Sequence, residues 1–520
     1  MRSLRHSSTA LAILAFTACA SVSVAHAESL ADAIALAYQT NPTLLQQRAQ
    51  LRAVNETYVQ ARAGAGPQLN VQAEFANQRL EDTRTGNIRT GDSATTSLNL
   101  SQPLFAGGRL AAATDAAEAD VLAARERLRQ AEQDLLTRVI AAYSAVRRDQ
   151  QILEVARAAA AVLQTQLEET EAKVQVQENT RTDLAQAQAR LASARSQLAS
   201  YEAQLTISRS QYLAVVGQNP GQLEPEPDLP GLPVNPEQAF QVAEAENPSL
   251  NAAKRAEQAT HARVAQARAQ HLPSVNLRVQ AARSPQSLAI PLPYSEAVTA
   301  QAVVTQPLFT SGLNASAVRR ALELNNADRL AIDSTRRTVV QTVAQQWAQL
   351  VSARTALASD TATVNAAEAA FFGMRQEERF GLRSTIEVLN AQQELTQAQI
   401  TLLRNRFTEF TSRAGLLAAV GRLNVDAIAP GVPVYDPKKD FDRVKNRYAL
   451  PTEFVVRTID GLVTPGLGKP RAARETTTPN QQAPLPPAPS DETLRAPVRS
   501  AAEIMNQTVA PEAERLPPTP

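Results

Sequence analysis

Four stretches of the chain alternate apolar and polar residues with a period of two, each over about ten residues. In the first, Leu69, Val71, Ala73 and Phe75 oppose Gln68, Asn70, Gln72 and Glu74. The second sets Thr96, Leu98 and Leu100 against Ser97, Asn99 and Ser101. In the third, Val275, Leu277, Val279 and Ala281 oppose Ser274, Asn276, Arg278 and Gln280, and in the fourth Val298, Ala300, Ala302 and Val304 oppose Thr299, Gln301 and Thr305. The pattern predicts strands over about 67–78, 94–105, 274–283 and 297–306, with polar, turn-rich loops at 79–93 and 284–296. Alternation alone fits a transmembrane barrel wall around a wet lumen. It fits a soluble sheet with one face on a core equally well.

After the second and fourth strands the period changes to about 3.6. The change falls in Gln102-Pro103-Leu104-Phe105-Ala106-Gly107-Gly108 and again in Gln306-Pro307-Leu308-Phe309-Thr310-Ser311-Gly312. Proline cannot donate to a ladder, so it ends a strand. Glycine accepts turn geometry that a bulkier residue resists. Pro103, Gly107, Gly108, Pro307 and Gly312 therefore mark two strand-to-helix corners. Long helices are expected at 109–173 and 313–377, and about 65 residues at 1.5 Å rise make a rod on the order of 95 Å. Turns at 178–182 and 380–385 lead into return helices at 183–216 and 385–420. Leu122, Leu128, Leu135, Val139, Val146 and Leu153 recur at spacings of three, four or seven, which suggests close helix packing. A coiled coil would explain the helices, but it gives no reason for the strand pairs.

The two halves repeat each other. Asn41-Pro42 and Asn247-Pro248 each pair an N-cap with a proline at the first helical position. Pro67 matches Pro273, Gln102 matches Gln306, Asp183 matches Glu387 and Gly217 matches Gly421, at a constant offset of about 205 residues. The organisation is a first repeat at 28–220, a linker at 221–235, a second repeat at 236–423 and a Pro-rich tail at 424–520. The tail reads as largely disordered, with its start, to about Tyr448, packing on the helical body.

Residues 1–27 read as a secretory signal: Arg2 and Arg5, an apolar run from Leu11 to Val24, then Ala25-His26-Ala27 as the cleavage site. Cleavage there removes Cys19, the single cysteine; the alternative is a lipidated Cys19. No apolar run of about 18 residues follows, so a membrane crossing must use strands. A net charge of +1 gives no case for nucleic acid. His261 and His271 do not share a helical face, and no phosphate loop, nucleophile elbow or Cys/His cluster is present. Trp347, with Val343, Leu350 and Val351 nearby, reads as a packing residue. No enzyme activity, cofactor or metal is expected.

With its duplicated unit, Asn-Pro helix starts, Gln-Pro-Leu-Phe corners and return turns, the chain resembles the TolC-like outer-membrane channel family over about residues 28–423. The resemblance implies an α+β membrane protein, a homotrimer whose protomers each give four strands to a twelve-stranded barrel. The barrel would continue as a long periplasmic α-helical barrel, with the tail in the periplasm. Gly381-Leu382-Arg383-Ser384-Thr385-Ile386-Glu387-Val388-Leu389-Asn390-Ala391 resembles the family segment that places acidic residues round a periplasmic aperture. Glu387 keeps one acid, and Asn390 stands where the family has a second. Asn179 to Ala187 resembles the other tip turn, which implies tip-closing contacts for Asp183 and Arg383, with Glu378 in the place of an expected tyrosine. For each of these the alternative is a helix cap or a surface charge. The implied partners are the lipid bilayer, a periplasmic adaptor, and an inner-membrane ABC exporter or proton-driven pump. The implied role is a passive export duct in the outer membrane, most like members that serve type I protein secretion. Multidrug efflux is the nearer alternative, and a pore-less periplasmic coiled-coil scaffold the more distant one.

Overall fold

The computed structural model describes residues 28–285 and 294–462. The first half contains α1 (Leu30–Thr40), α2 (Pro42–Ala63), β1 (Gln68–Asp82), β2 (Asn87–Phe105), α3 (Arg109–Gln175) and α4 (Arg181–Val216). The second contains α5 (Pro236–Glu246), α6 (Pro248–Ala269), β3 (Ser274–Pro285), β4 (Tyr294–Thr305), α7 (Leu313–Arg379) and α8 (Thr385–Val420). Helix lengths of 11, 22, 67 and 36 residues occur in the same order in both halves, so one unit has been duplicated without drift.

The strands form one antiparallel sheet in the order β1-β2-β3-β4. Its register aligns the apolar sets of all four strands on one face. Leu69, Leu100, Val279 and Ala300 make one row, and Val71, Leu98, Ala281 and Val298 the next. Asn70, Asn99, Gln280 and Thr299 make a row on the opposite face. The apolar face has no protein cover among the described residues: Leu69 is 64%, Phe75 83% and Val298 78% exposed. A soluble sheet would hide that face on its own core. An uncovered, continuous apolar face is what a lipid-facing wall needs.

The strands are longer than their apolar alternation suggested. β1 and β2 pair out to Asp82 and Asn87, so most of the loop expected at 79–93 is hairpin strand. Polar cross-strand contacts sustain it there, such as Asn77 Nδ2 to Asp92 Oδ1 at 2.7 Å. Ladder hydrogen bonds need no apolar side chains, which is why the periodicity stopped short. Likewise Ser284 pairs with Ser295, and residues 286–293 of the second expected loop lie outside the described residues.

Each corner is a consecutive pair of left-handed residues, Gly107 and Gly108 (φ 67° and 88°) or Ser311 and Gly312 (φ 48° and 84°). At Gly107 a Cβ would stand 2.6 Å from the Leu272 Cβ, so only glycine fits against the end of α6. The glutamine of each corner ties the strand to the end of the helix before it. Gln102 Nε2 donates to the Ala65 carbonyl and Gln306 Nε2 to the His271 carbonyl, both at 2.9 Å.

The main core lies halfway along α3. There Leu135, Leu136, Val139, Ile140 and Tyr143 pack on Leu30, Ile34 and Tyr38 of α1, on Tyr212 of α4 and on Leu417 of α8. A smaller cluster joins Ala239 and Leu250 to Val339, Val343 and Leu416, with Trp347 half-buried against it. Residues 221–235 contribute more than a linker: Leu229 is buried, and Tyr143 donates to the carbonyls of Glu28 and Glu224 at 2.8 and 2.9 Å.

The tail departs from expectation. After α8 the chain forms α9 (Val425–Ile428), α10 (Pro437–Lys445) and α11 (Pro451–Gly461), so it is folded well beyond Tyr448. Pro437 and Pro451 occupy the first turns of these helices, where a missing N–H costs nothing. The Pro-rich runs at 484–487 and 517–518, on which the expectation of disorder rested, fall beyond these helices. Residues 463–520 lie outside the described residues.

Asn41 and Asn247 each join two helix ends. Asn41 Oδ1 accepts from Thr43 N and Leu44 N, while its Nδ2 donates to the Val215 carbonyl in the last turn of α4 at 2.9 Å. Asn247 repeats this with Leu250 N and the Ala419 carbonyl at the end of α8. A carboxylate keeps the cap and loses the donor. Asn41→Asp and Asn247→Asp should each cost about 1–3 kcal/mol, because the carbonyl would face an acceptor. Thermal unfolding of the purified variants checks this, and unchanged midpoints would remove the helix-joining role.

Candidate functional site

The far end of the helical rods holds the expected tip residues. At about 1.5 Å per residue, α3 and α7 place it on the order of 100 Å from the corners. The α3–α4 turn spans 176–180 and the α7–α8 turn 380–384. Each closes with a capping box, in which a hydroxyl and a carboxylate three residues on satisfy each other's amides. Thr180 and Asp183 form the first: Asp183 Oδ2 accepts from Thr180 N at 3.0 Å and from its hydroxyl at 2.7 Å. Ser384 and Glu387 form the second, with Glu387 Oε2 accepting from Ser384 N and Oγ, both at 2.9 Å.

Glu387 also meets Arg383, whose Nη1 lies 3.0 Å from Oε1, and Arg383 Nε lies 2.8 Å from Glu377. The Ser384 amide and hydroxyl and then the Arg383 guanidinium hold the Glu387 carboxyl below its usual range. Glu377, Arg383 and Glu387 together carry one net negative charge, and Glu387 remains 42% exposed to act on solvent ions.

Glu378 points elsewhere. Its side chain is 4% exposed and accepts from Lys173 Nζ of α3 at 2.8 Å, which ties the two long helices near their ends. Asn390 accepts from Arg190 of α4 at 2.9 Å, and Arg190 also donates to Gln393. Beneath the tip, Phe371 and Ala367 of α7 pack on Val388, Ala391 and Leu395 of α8.

The structure therefore brings Arg383 and Glu387 together, links Glu378 and Asn390 to the first repeat, and leaves Asp183 within its own turn. Lys173, Glu377 and Arg190 escaped sequence reasoning. One signal was available: Lys173 and Glu378 are 205 residues apart, the repeat offset itself, so the two halves place opposite charges at matching positions.

Solved structures with this architecture are outer-membrane channels. The VceC outer-membrane protein of Vibrio cholerae superposes with a TM-score of 0.66 at 21% identity, covering 75% of this chain and 96% of that one. The fold is thus a channel-tunnel, a β-barrel wall continued by a helical barrel. The family model described as outer membrane efflux protein matches residues 33–218 and 239–422, one match per repeat. The outer membrane efflux protein BepC of Brucella suis is 30% identical over 434 residues, 84% of this chain and 93% of the relative. The alkaline protease secretion protein AprF of Pseudomonas aeruginosa is 26% identical over 349 residues, 65% of this chain and 71% of the relative. The chain belongs to the outer membrane efflux protein family. It is an outer-membrane channel protein and not an enzyme.

The Lys173–Glu378 pair is only part-exposed, so Lys173→Met should loosen the tip by about 1–3 kcal/mol by leaving a buried carboxylate unpaired. The exchange Lys173→Glu with Glu378→Lys should recover most of the loss. Hydrogen exchange at the ends of α3 and α7 reports it. Equal exchange in all three proteins would show that the pair contributes nothing.

Proposed function

We propose that the chain is the outer-membrane exit duct of a tripartite export system, passively conducting cargo delivered by an inner-membrane transporter through a periplasmic adaptor. The observation that carries this is the continuous, uncovered apolar face of the sheet, joined at two glycine corners to helices far longer than any globular core requires. Four strands cannot close a barrel, and their edges need partners in hydrocarbon. Three copies making a twelve-stranded barrel meet that need, and this homotrimer forms part of the proposal.

Protein secretion is the finer reading, supported by the Thr180 to Ala187 turn and by the likeness to AprF, whose name states protease secretion. BepC favours a second reading, since its name states efflux. Deletion of the gene separates them. Loss of an exported protein without drug sensitisation supports secretion, and drug sensitisation without secretion loss supports efflux. A scaffold without a pore would give no channels in planar bilayers.

Glu387 is proposed to line the periplasmic aperture, where a threefold ring of carboxylates favours cations. Glutamine keeps the capping box while removing the charge. Glu387→Gln should leave folding intact and lower cation preference and block by multivalent cations in planar bilayers. Glu387 has a depressed folded pKa, so its charge is present above the usual glutamate value of about 4.3 and is lost only as pH falls through the lower folded value. Cation preference should accordingly hold from neutral pH down to about 5 and decline below the ordinary glutamate range. A conductance identical in the variant at every pH would take Glu387 out of the aperture.

A further inference from the structure

α11 presents its faces in reverse of an ordinary surface helix. Glu453, Val456 and Asp460, spaced i, i+3 and i+7, are buried at 6%, 4% and 0% exposure. Phe454, Val455, Ile459 and the following Leu462 point outward at 75%, 53%, 46% and 80%. At about 100° per residue these four fall within an arc of about 140°, roughly opposite the buried three. Thr458 lies in the same arc, and its hydroxyl is already satisfied, donating to the Phe454 carbonyl at 2.8 Å.

The buried acids fix where this face sits. Asp460 Oδ1 accepts from Ala106 N and Gly108 N at 2.6 and 2.9 Å, and Oδ2 from Leu110 N and Ala111 N at 2.9 and 3.2 Å. α3 has a glycine N-cap with no side-chain cap, so Asp460 supplies the missing acceptor at the positive end of the helix. Glu453 pairs with Arg62 at the end of α2 at 2.9 Å. Asp460 is anchored at the first corner, one residue past the end of β2, and Glu453 beside the turn from α2 into β1, both at the end of the barrel wall that joins the helices. The same level carries exposed Leu104 and, at the second corner, Leu308 and Phe309. The connection before α11 adds Tyr448, 82% exposed, with the Arg447 guanidinium 5.2 Å from its ring centroid.

We propose that α11 lies in the plane of the outer membrane's periplasmic leaflet. Phe454, Val455, Ile459 and Leu462 enter the acyl-chain boundary, and Arg447 and Tyr448 sit at head-group depth. Lipid is the occupant because the helix is anchored where the uncovered apolar face of the sheet ends, next to the hydrocarbon that face requires. Its outward residues are apolar with internally bonded hydroxyls, and an aromatic-cation pair flanks it as at membrane interfaces. The inference rests on the channel's residence in the outer membrane.

The full chain carrying Phe454→Trp in a Trp347→Phe background gives a single fluorophore. In vesicles of phosphatidylethanolamine and phosphatidylglycerol its emission should be blue-shifted, and acyl-chain-brominated lipid should lower it about twofold, the behaviour of a side chain buried in an interface. The control Arg443→Trp on α10 in the same background should be quenched much less. Water-like emission without bromine quenching would overturn the proposal. So would emission shielded from acrylamide in detergent and vesicles alike but insensitive to bromine, which would assign the face to a neighbouring copy of the chain. Conductance recorded from the same vesicles separates failure of α11 from failure of the channel: open channels without quenching sink only the helix.

Discussion

Hydrocarbon tolerates no unpaired backbone amide, and this constraint governs the molecule more than any single contact. The four-stranded sheet aligns its apolar side chains into one uncovered face, while β1 and β4 keep free edges. The first is costly in water and the second in hydrocarbon. Acyl chains would cover the apolar face, and the proposed homotrimer would pair the edges. Most of the remaining structure can be understood as holding that sheet at the correct angle on a very long helical stem.

The corners transmit this arrangement. Two successive left-handed residues turn the chain from a ladder into a helix within a few positions, and the adjoining glutamine pins the turn to the preceding helix. The two corners are alike in backbone and differ in surroundings. Gly107 lies against Leu272, and Asp460 caps the amides of the first corner. The side of Ser311 and Gly312 has no such cover among the described residues, and Phe309 is 86% exposed. That asymmetry fits a chain in which the first corner faces its own second repeat and the second corner faces outward.

At the opposite end the charges are arranged to hold helices together more than to bind a ligand. Glu378 is consumed by Lys173 and Asn390 by Arg190. Asp183 completes a cap. Glu387 and Asp183 both keep part-exposed carboxylates within capping boxes, and Arg383 offsets part of the field of Glu387.

The sequence alone determined the repeat, the strand and helix order, the corners and the capping positions, because periodicity, proline geometry and positive φ act over a few residues. It misplaced the hairpin loops, since ladder hydrogen bonds extend past the last apolar side chain. It also ended the packed start of the tail near Tyr448, whereas Pro451 begins one further helix beyond it. Tertiary structure alone decided which charges meet. Lys173 reaches Glu378 across the two repeats, and Asp460 reaches the Ala106 amide 354 residues away. Both pairings depend on how elements far apart in sequence pack against one another, and a local pattern carries no record of that.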